Sequence, residues 1–288
     1  MPKSEENLTV LTIQVDRLNA DGLQSWIYER CGMATVQLGK PSSDRAFVEV
    51  YFEDEVEARL LGSALEEGQG LPVAYRNCPT EDWTTFWQHH FKPQAIGQRI
   101  WVCPVWEEAS PPTDEYITLK VNPGLSFGTG DHFTTRFCLD VLDGICVGQA
   151  PTRILDAGSG SAIIGIAAAL LGCSEVLGVE IDPVAVTHAK ENIGLNNVAN
   201  QVRVEEFDLT ERWVEGTYPV VFANLFSHLL IDLAPQLMRT AEETLVITGI
   251  RSIEADMVGD SFAQLGAKEI RRDADHEWCG MVLDVREG

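Results

Sequence analysis

The chain has 288 residues, 45% of them hydrophobic, at a mean hydropathy of -0.04. Those values fit a globular, soluble protein with room for two domains. The formal charge of -23, from 44 acidic and 21 basic residues, sets nucleic acid aside as a direct partner, because phosphate binding needs a basic patch. The acidity either attracts a basic protein substrate or only maintains solubility.

The longest apolar run, AIIGIAAALLGC (162–173), is too short to span a bilayer. No basic-then-apolar leader opens the chain, so a cytoplasmic protein without membrane contact is expected. The seven cysteines (31, 78, 103, 138, 146, 173 and 279) are odd in number and form no C-x-x-C pair. This argues for small buried hydrophobes rather than a disulfide framework or a zinc site, and no metal is expected.

In chain order, LTVLTIQV (8–15) alternates as a strand, and DGLQSWIYERCG (21–32) reads as a helix stopped by Gly32. MATVQLG (33–39) and AFVEVYF (46–52) are predicted strands, EVEARLLGSALEEG (55–68) a helix and LPVAYRN (71–77) a strand. This β-α-β-β-α-β order is the ferredoxin-like pattern. It contains no catalytic constellation, which leaves binding as its expected role.

Residues 79–114 are expected to link two domains. They carry Trp83, Trp87, Trp101 and Trp106, read as packing aromatics or as an open binding face. The adjacent His89 and His90 cannot share a helix face as metal ligands would. From about residue 115 strands and helices alternate. Strands are expected at 116–121, 153–157, 175–181, 201–206, 219–224, 243–249, 267–272 and 278–285. Helices are expected at 132–146, 161–172, 183–195, 226–240 and 252–265. That alternation predicts an α/β fold with a mostly parallel, doubly wound sheet over 115–288.

RILDAGSGSA (153–162) joins a buried strand to a glycine turn and an apolar helix. Gly158 and Gly160 allow a sharp backbone turn that leaves room for a ligand, at the carboxyl ends of the strands, where open α/β sheets bind. A dinucleotide fingerprint needs a third glycine at 163, but that residue is Ile163. The run D-x-G-x-G from Asp156 instead resembles motif I of class I S-adenosylmethionine methyltransferases, with Ala162 where a third glycine is common. Glu180 ends the next strand, where a carboxylate can accept both ribose hydroxyls. Asp182 is read as an N-cap before Pro183. Asp208 follows the third strand and either contacts adenine or caps a helix.

VVFANLF (220–226) ends an apolar strand in Asn224. The Asn224 carbonyl and the next backbone carbonyl can accept N–H groups of an incoming amine and aim its lone pair at a methyl donor. A helix-capping role for Asn224 stays open. The N-P-P-[YF] form of glutamine and adenine methyltransferases is absent, which points to aliphatic amines. FGTGDHFTT (127–135) adds Phe127 as a wall for the methyl channel, together with hydroxyls at Thr129, Thr134 and Thr135. The same glycine-rich turn also reads as an anion nest, although it lacks the ending of a P-loop. His132 orients the acceptor, shuttles a proton or caps the helix.

NPGLSFGTGDHFTT (122–135) resembles the signature of the PrmA family, methyltransferases of ribosomal large-subunit protein 11. WTTFWQHHFKPQAIGQRIWVCPVW upstream, DAGSGS, GVEIDP, ANL and HEWCGMVL agree with it, so the resemblance runs from about 82 to 285. The departures are Ser126, Asp131 and Phe133 in the signature, Ala162 in motif I, and residues 1–80, which agree in pattern only. The resemblance implies S-adenosylmethionine as cofactor, with contacts at Thr135, Gly158, Glu180 and Asn224. It also implies methylation of lysine side chains and the N-terminal amine of ribosomal protein 11, and a substrate-recognition domain at 1–78 that moves relative to the catalytic one. A monomer is expected. The competing readings are a lysine methyltransferase of another protein, such as the electron-transfer flavoprotein β subunit, and a non-catalytic ribosome-binding factor.

Overall fold

The computed structural model describes residues 7–31, 35–38, 43–52, 54–79, 91–122 and 132–286. The chain divides into two compact units, Met1–Phe91 and Lys92–Gly288. In the first unit β1 (Asn7–Asp16), α1 (Arg17–Cys31), β2 (Thr35–Leu38), β3 (Arg45–Phe52), α2 (Glu55–Gln69) and β4 (Val73–Pro79) follow one another. The strands lie in the order β2-β3-β1-β4, every pair antiparallel. Leu11, Ile13 and Val15 alternate on β1, and Ala46, Val48, Val50 and Phe52 on β3. They share a core with Ala20, Leu23 and Ile27 of α1 and with Ala58, Leu61 and Leu65 of α2.

That packing explains why α1 starts at Arg17, ahead of the expected Asp21. The helical spacing of Ala20, Leu23 and Ile27 gives burial that outweighs the poor helix propensity of Gly22. Asp54 caps α2 by accepting the Val56 N–H, and Gly70 ends it at φ 67°.

The second unit opens with β5 (Gln94–Ile96), β6 (Ile100–Pro104) and β7 (Ile117–Val121), a three-stranded sheet of its own. The expected linker 79–114 therefore carries two strands, and the strand expected at 116–121 pairs with β6 rather than joining the large sheet. Alternation marks a strand but not its partner. Asp143 fixes this small sheet by accepting from the Gln98 N–H at 2.6 Å and from Arg99 Nε at 2.7 Å.

The large sheet is built from β8 (Arg153–Ala157), β9 (Glu175–Glu180), β10 (Val202–Glu206), β11 (Tyr218–Asn224), β12 (Ala241–Arg251), β13 (Lys268–Ala274) and β14 (Trp278–Asp284). Its order is β10-β9-β8-β11-β12-β14-β13, and only β14 runs against its neighbours. The helices are α3 (Phe133–Ile145), α4 (Ile163–Leu170), α5 (Pro183–Leu195), α6 (Ser227–Thr240) and α7 (Ala255–Ala263). Each expected strand and helix from 132 onward is present, the strand at 153–157 and the helix at 183–195 with the expected ends and the others with shifted ends. The helix expected over 252–265 opens instead as a short 3-10 turn at Ser252–Glu254. No helix among the described residues is long and apolar enough to cross a membrane.

Strand order turns at β8. From there the chain adds β9 and β10 on one side, then returns to lay β11 on the other. The crevice between the carboxyl ends of β8 and β11 is the switch point at which such sheets take ligands.

Candidate active site

The turn after β8 is left-handed at Gly158 (φ 79°), Gly160 (φ 50°) and Ala162 (φ 62°). Backbone hydrogen bonds impose this shape. Gly158 and Ser159 both donate to the Val179 carbonyl, and Ala162 donates to the Ser159 carbonyl at 2.8 Å. A Cβ on Gly158 would stand 2.5 Å from Leu225 Cδ2, so that side chain would have to move, while the φ of 79° is what calls for glycine there. Ala162 holds the same left-handed backbone with a methyl group, the strain that a third glycine would remove.

Glu180 closes the turn. Its Oε2 accepts the Gly160 N–H at 2.8 Å, and its Oε1 accepts those of Ile181 at 2.9 Å and Asp182 at 3.1 Å. Carboxylate oxygens take two donors each, so acceptor capacity remains on Oε2. Ile181, next in the chain, is 61% exposed, an apolar side chain beside the carboxylate that sequence reasoning passes over. Asp182 caps α5 by accepting the Val184 N–H, with Pro183 in the first turn. Asp208 accepts the N–H and the hydroxyl of Thr210 on Oδ1, at 2.8 and 2.6 Å, which holds its carboxyl below the usual range. These bonds make a local turn; no α-helix follows for it to cap.

Several polar atoms around the turn are buried and have no protein hydrogen-bond partner among the described residues: Thr135 Oγ1, Ser159 Oγ and both carboxyl oxygens of Asp156. Burial, with the charge of Glu180 adding to it, pushes Asp156 up to about 7; the Gly165 N–H, short of hydrogen-bond geometry, offsets only part of the rise. Such orphaned groups beside a glycine turn fit a polar ligand.

Across the crevice Asn224 ends β11. Its Nδ2 donates to Thr134 Oγ1 at 3.3 Å, and Thr134 Oγ1 lies 2.8 Å from His132 Nδ1. Nδ1 also accepts the Thr134 N–H, the N-cap bond of α3, so the ring nitrogen acts as an acceptor throughout. The donor order runs from the Asn224 amide to the Thr134 hydroxyl to His132. It leaves Asn224 Oδ1 turned away from the relay. The capping reading of Asn224 is corrected: the N-cap of α6 is Phe226, with no side-chain bond. The Trp278 ring stands edge-on to His132 at 5.0 Å between centroids.

Asn192 is a contributor that sequence reasoning missed. It is 1% exposed, accepts the Asn122 N–H at 2.8 Å and donates to the carbonyls of Asn122 and Ser161. It thus ties the start of the 122–135 segment to the cofactor turn. The available signal was an amide at an apolar position of α5, among Ala185, Ala189 and Ile193, since a buried amide needs partners. Phe127 and Thr129 lie outside the described residues.

The strand order, the glycine turn on β8 and the carboxylate ending β9 define a class I methyltransferase that uses S-adenosylmethionine. Within that class the chain belongs to the PrmA family, described as ribosomal protein L11 methyltransferase, whose match covers residues 16–286. This reaches well before residue 82, where the motif resemblance starts. The ribosomal protein L11 methyltransferase of Pelobacter propionicus is 37% identical over 253 residues, 82% of this chain and 80% of that protein. The one from Clostridium perfringens is 36% identical over 264 residues, 90% of this chain and 82% of that protein. The crystal structure of ribosomal protein L11 methylase from Lactobacillus delbrueckii subsp. bulgaricus matches with a TM-score of 0.61 at 24% identity. It covers 67% of this chain and 98% of that one, a likeness of fold.

Proposed function

We propose that this protein transfers methyl groups from S-adenosylmethionine to aliphatic amines of ribosomal protein L11, lysine side chains and the N-terminal amine, in the cytoplasm. The observation that carries this reading is the Asn224–Thr134–His132 relay beside the glycine turn. It fixes the Asn224 amide so that Oδ1, with the Leu225 carbonyl, presents two acceptors to one nitrogen. An amine donating both N–H groups there has its remaining lone pair aimed at the cofactor side.

Bound S-adenosylmethionine supplies a methyl group on a positively charged sulfur. Glu180 would take a ribose hydroxyl on the acceptor site left on Oε2, Ile181 and Asp208 would flank the adenine, and Thr135, Ser159 and Asp156 would receive the polar amino-acid end. Gly158 and Gly160 give the turn its left-handed backbone. The attacking amine must be neutral. A free lysine has a pKa near 10.4, and a neighbouring cation in a partly apolar pocket lowers it. Positioning, rather than a strong base, then carries the rate. Residues 1–78 serve to recognise the substrate protein, and the acidic surface draws in its basic chain.

The test is intact-mass spectrometry of the host's ribosomal protein L11 after incubation with this protein and S-adenosylmethionine. Successive methyl increments, placed by fragmentation on lysines and the N-terminus, are expected. An unmodified L11, with cofactor binding demonstrated separately, would reject this substrate and favour another protein lysine.

A further inference from the structure

We infer that Gly249, on β12, is a positioning residue for methyl transfer: its missing side chain sets where the Leu225 carbonyl points. Gly249 has φ 82° and sits at an irregularity where the β12–β14 register slips between Thr248 and Ile250, a bulge of the kind that re-aims chains beside active sites. A Cβ on Gly249 would stand 2.4 Å from the Leu225 carbonyl oxygen, 2.9 Å from its carbon and 3.1 Å from Asn224 Oδ1. These are the two acceptors assigned to the amine, and the inference rests on that assignment.

The neighbouring bonds leave the segment little freedom. The Leu225 N–H donates to the Thr248 carbonyl at 3.0 Å, and Thr248, fully buried, ties its hydroxyl to the Cys279 carbonyl at 3.0 Å. On the other side the Leu225 side chain fills the space that a Cβ on Gly158 would take. Leu225 is thus held between two left-handed glycines, one from the cofactor turn and one from β12. An alanine at 249 would have to drive the carbonyl oxygen back from 2.4 Å to at least 3.0 Å.

Gly249→Ala is the test and Gly148→Ala its control. Gly148 has φ 84°, and a Cβ added there would meet nothing within 4 Å, so alanine brings the same backbone strain without a collision. The readouts are kcat and KM on ribosomal protein L11, the dissociation constant for S-adenosylmethionine and the melting temperature. Misplacement of reacting groups by about 1 Å can cost about 100-fold, so kcat of Gly249→Ala should fall at least about tenfold. Its cofactor affinity should stay within about twofold of the parent, and its melting temperature, lowered beyond that of Gly148→Ala by the collision, should stay above the assay temperature. Gly249→Asn, which tolerates left-handed backbone but carries the same Cβ, should repeat the loss and serves if alanine prevents folding. A parental kcat in these variants, or parallel losses of kcat and cofactor affinity, would overturn the inference alone. A parent protein that leaves L11 unmethylated would instead reject the substrate named in the proposed function.

Discussion

The cofactor corner is made of backbone. Left-handed residues at 158, 160 and 162 shape it, and one carboxylate gathers the N–H groups of Gly160, Ile181 and Asp182. The acceptor corner is made of side chains from distant elements: Asn224 reaches Thr134 across 90 residues of sequence, and Thr134 passes the bond to His132. The first corner is suited to holding a ligand of fixed shape. The second is suited to orienting a lone pair, where one lost bond alters an angle rather than an affinity. Damage to the two should therefore appear in different measured quantities.

The largest effect is expected from Asn224→Ala, which removes one amine acceptor and its relay. Turnover should fall about 100-fold, while the S-adenosylmethionine dissociation constant changes little in a calorimetric titration. Glu180→Ala should act in the opposite sense. It deletes charge-assisted bonds worth roughly 1.5–3 kcal/mol each, so cofactor affinity should weaken at least about tenfold; an unchanged dissociation constant would refute the ribose role. Thr134→Val keeps the volume but removes both bonds of the relay; the one lost to Asn224, roughly 1 kcal/mol, should lower kcat about fivefold. Equal losses in kcat and cofactor binding there would place Thr134 in the cofactor corner instead.

The most conditional effect belongs to Asp156. Unfolded, it ionises near pH 4; folded, it keeps its proton up to about 7. Its contribution to stability is thus fully present below about pH 4 and is lost as the pH rises through about 7. Asp156→Asn should melt with the parent at pH 4 and above it at pH 8, by a gap on the order of a few kcal/mol. A gap independent of pH would contradict the buried, protonated carboxyl.

Local chemistry was legible from sequence and long-range pairing was not. Gly158, Gly160 and the Asp182–Pro183 cap announce their conformations through residue type, and the helices from 132 onward through apolar spacing. The left-handed Ala162 was hidden because alanine rarely adopts that backbone. β7 was read as part of the large sheet because a strand pattern does not name its partner. The Asn224–Thr134 bond and the fit of Gly249 against Leu225 depend on strand order, so spacing could suggest the residues but not their contact.

The division of labour is tested most directly by single-turnover methyl transfer at saturating S-adenosylmethionine, comparing Asn224→Ala with Glu180→Ala. Glu180→Ala should recover most of the parental rate once the cofactor is saturating, and Asn224→Ala should stay slow at every cofactor concentration. Rates that recover alike in both, or fail alike in both, would contradict a site divided into a binding corner and an orienting one.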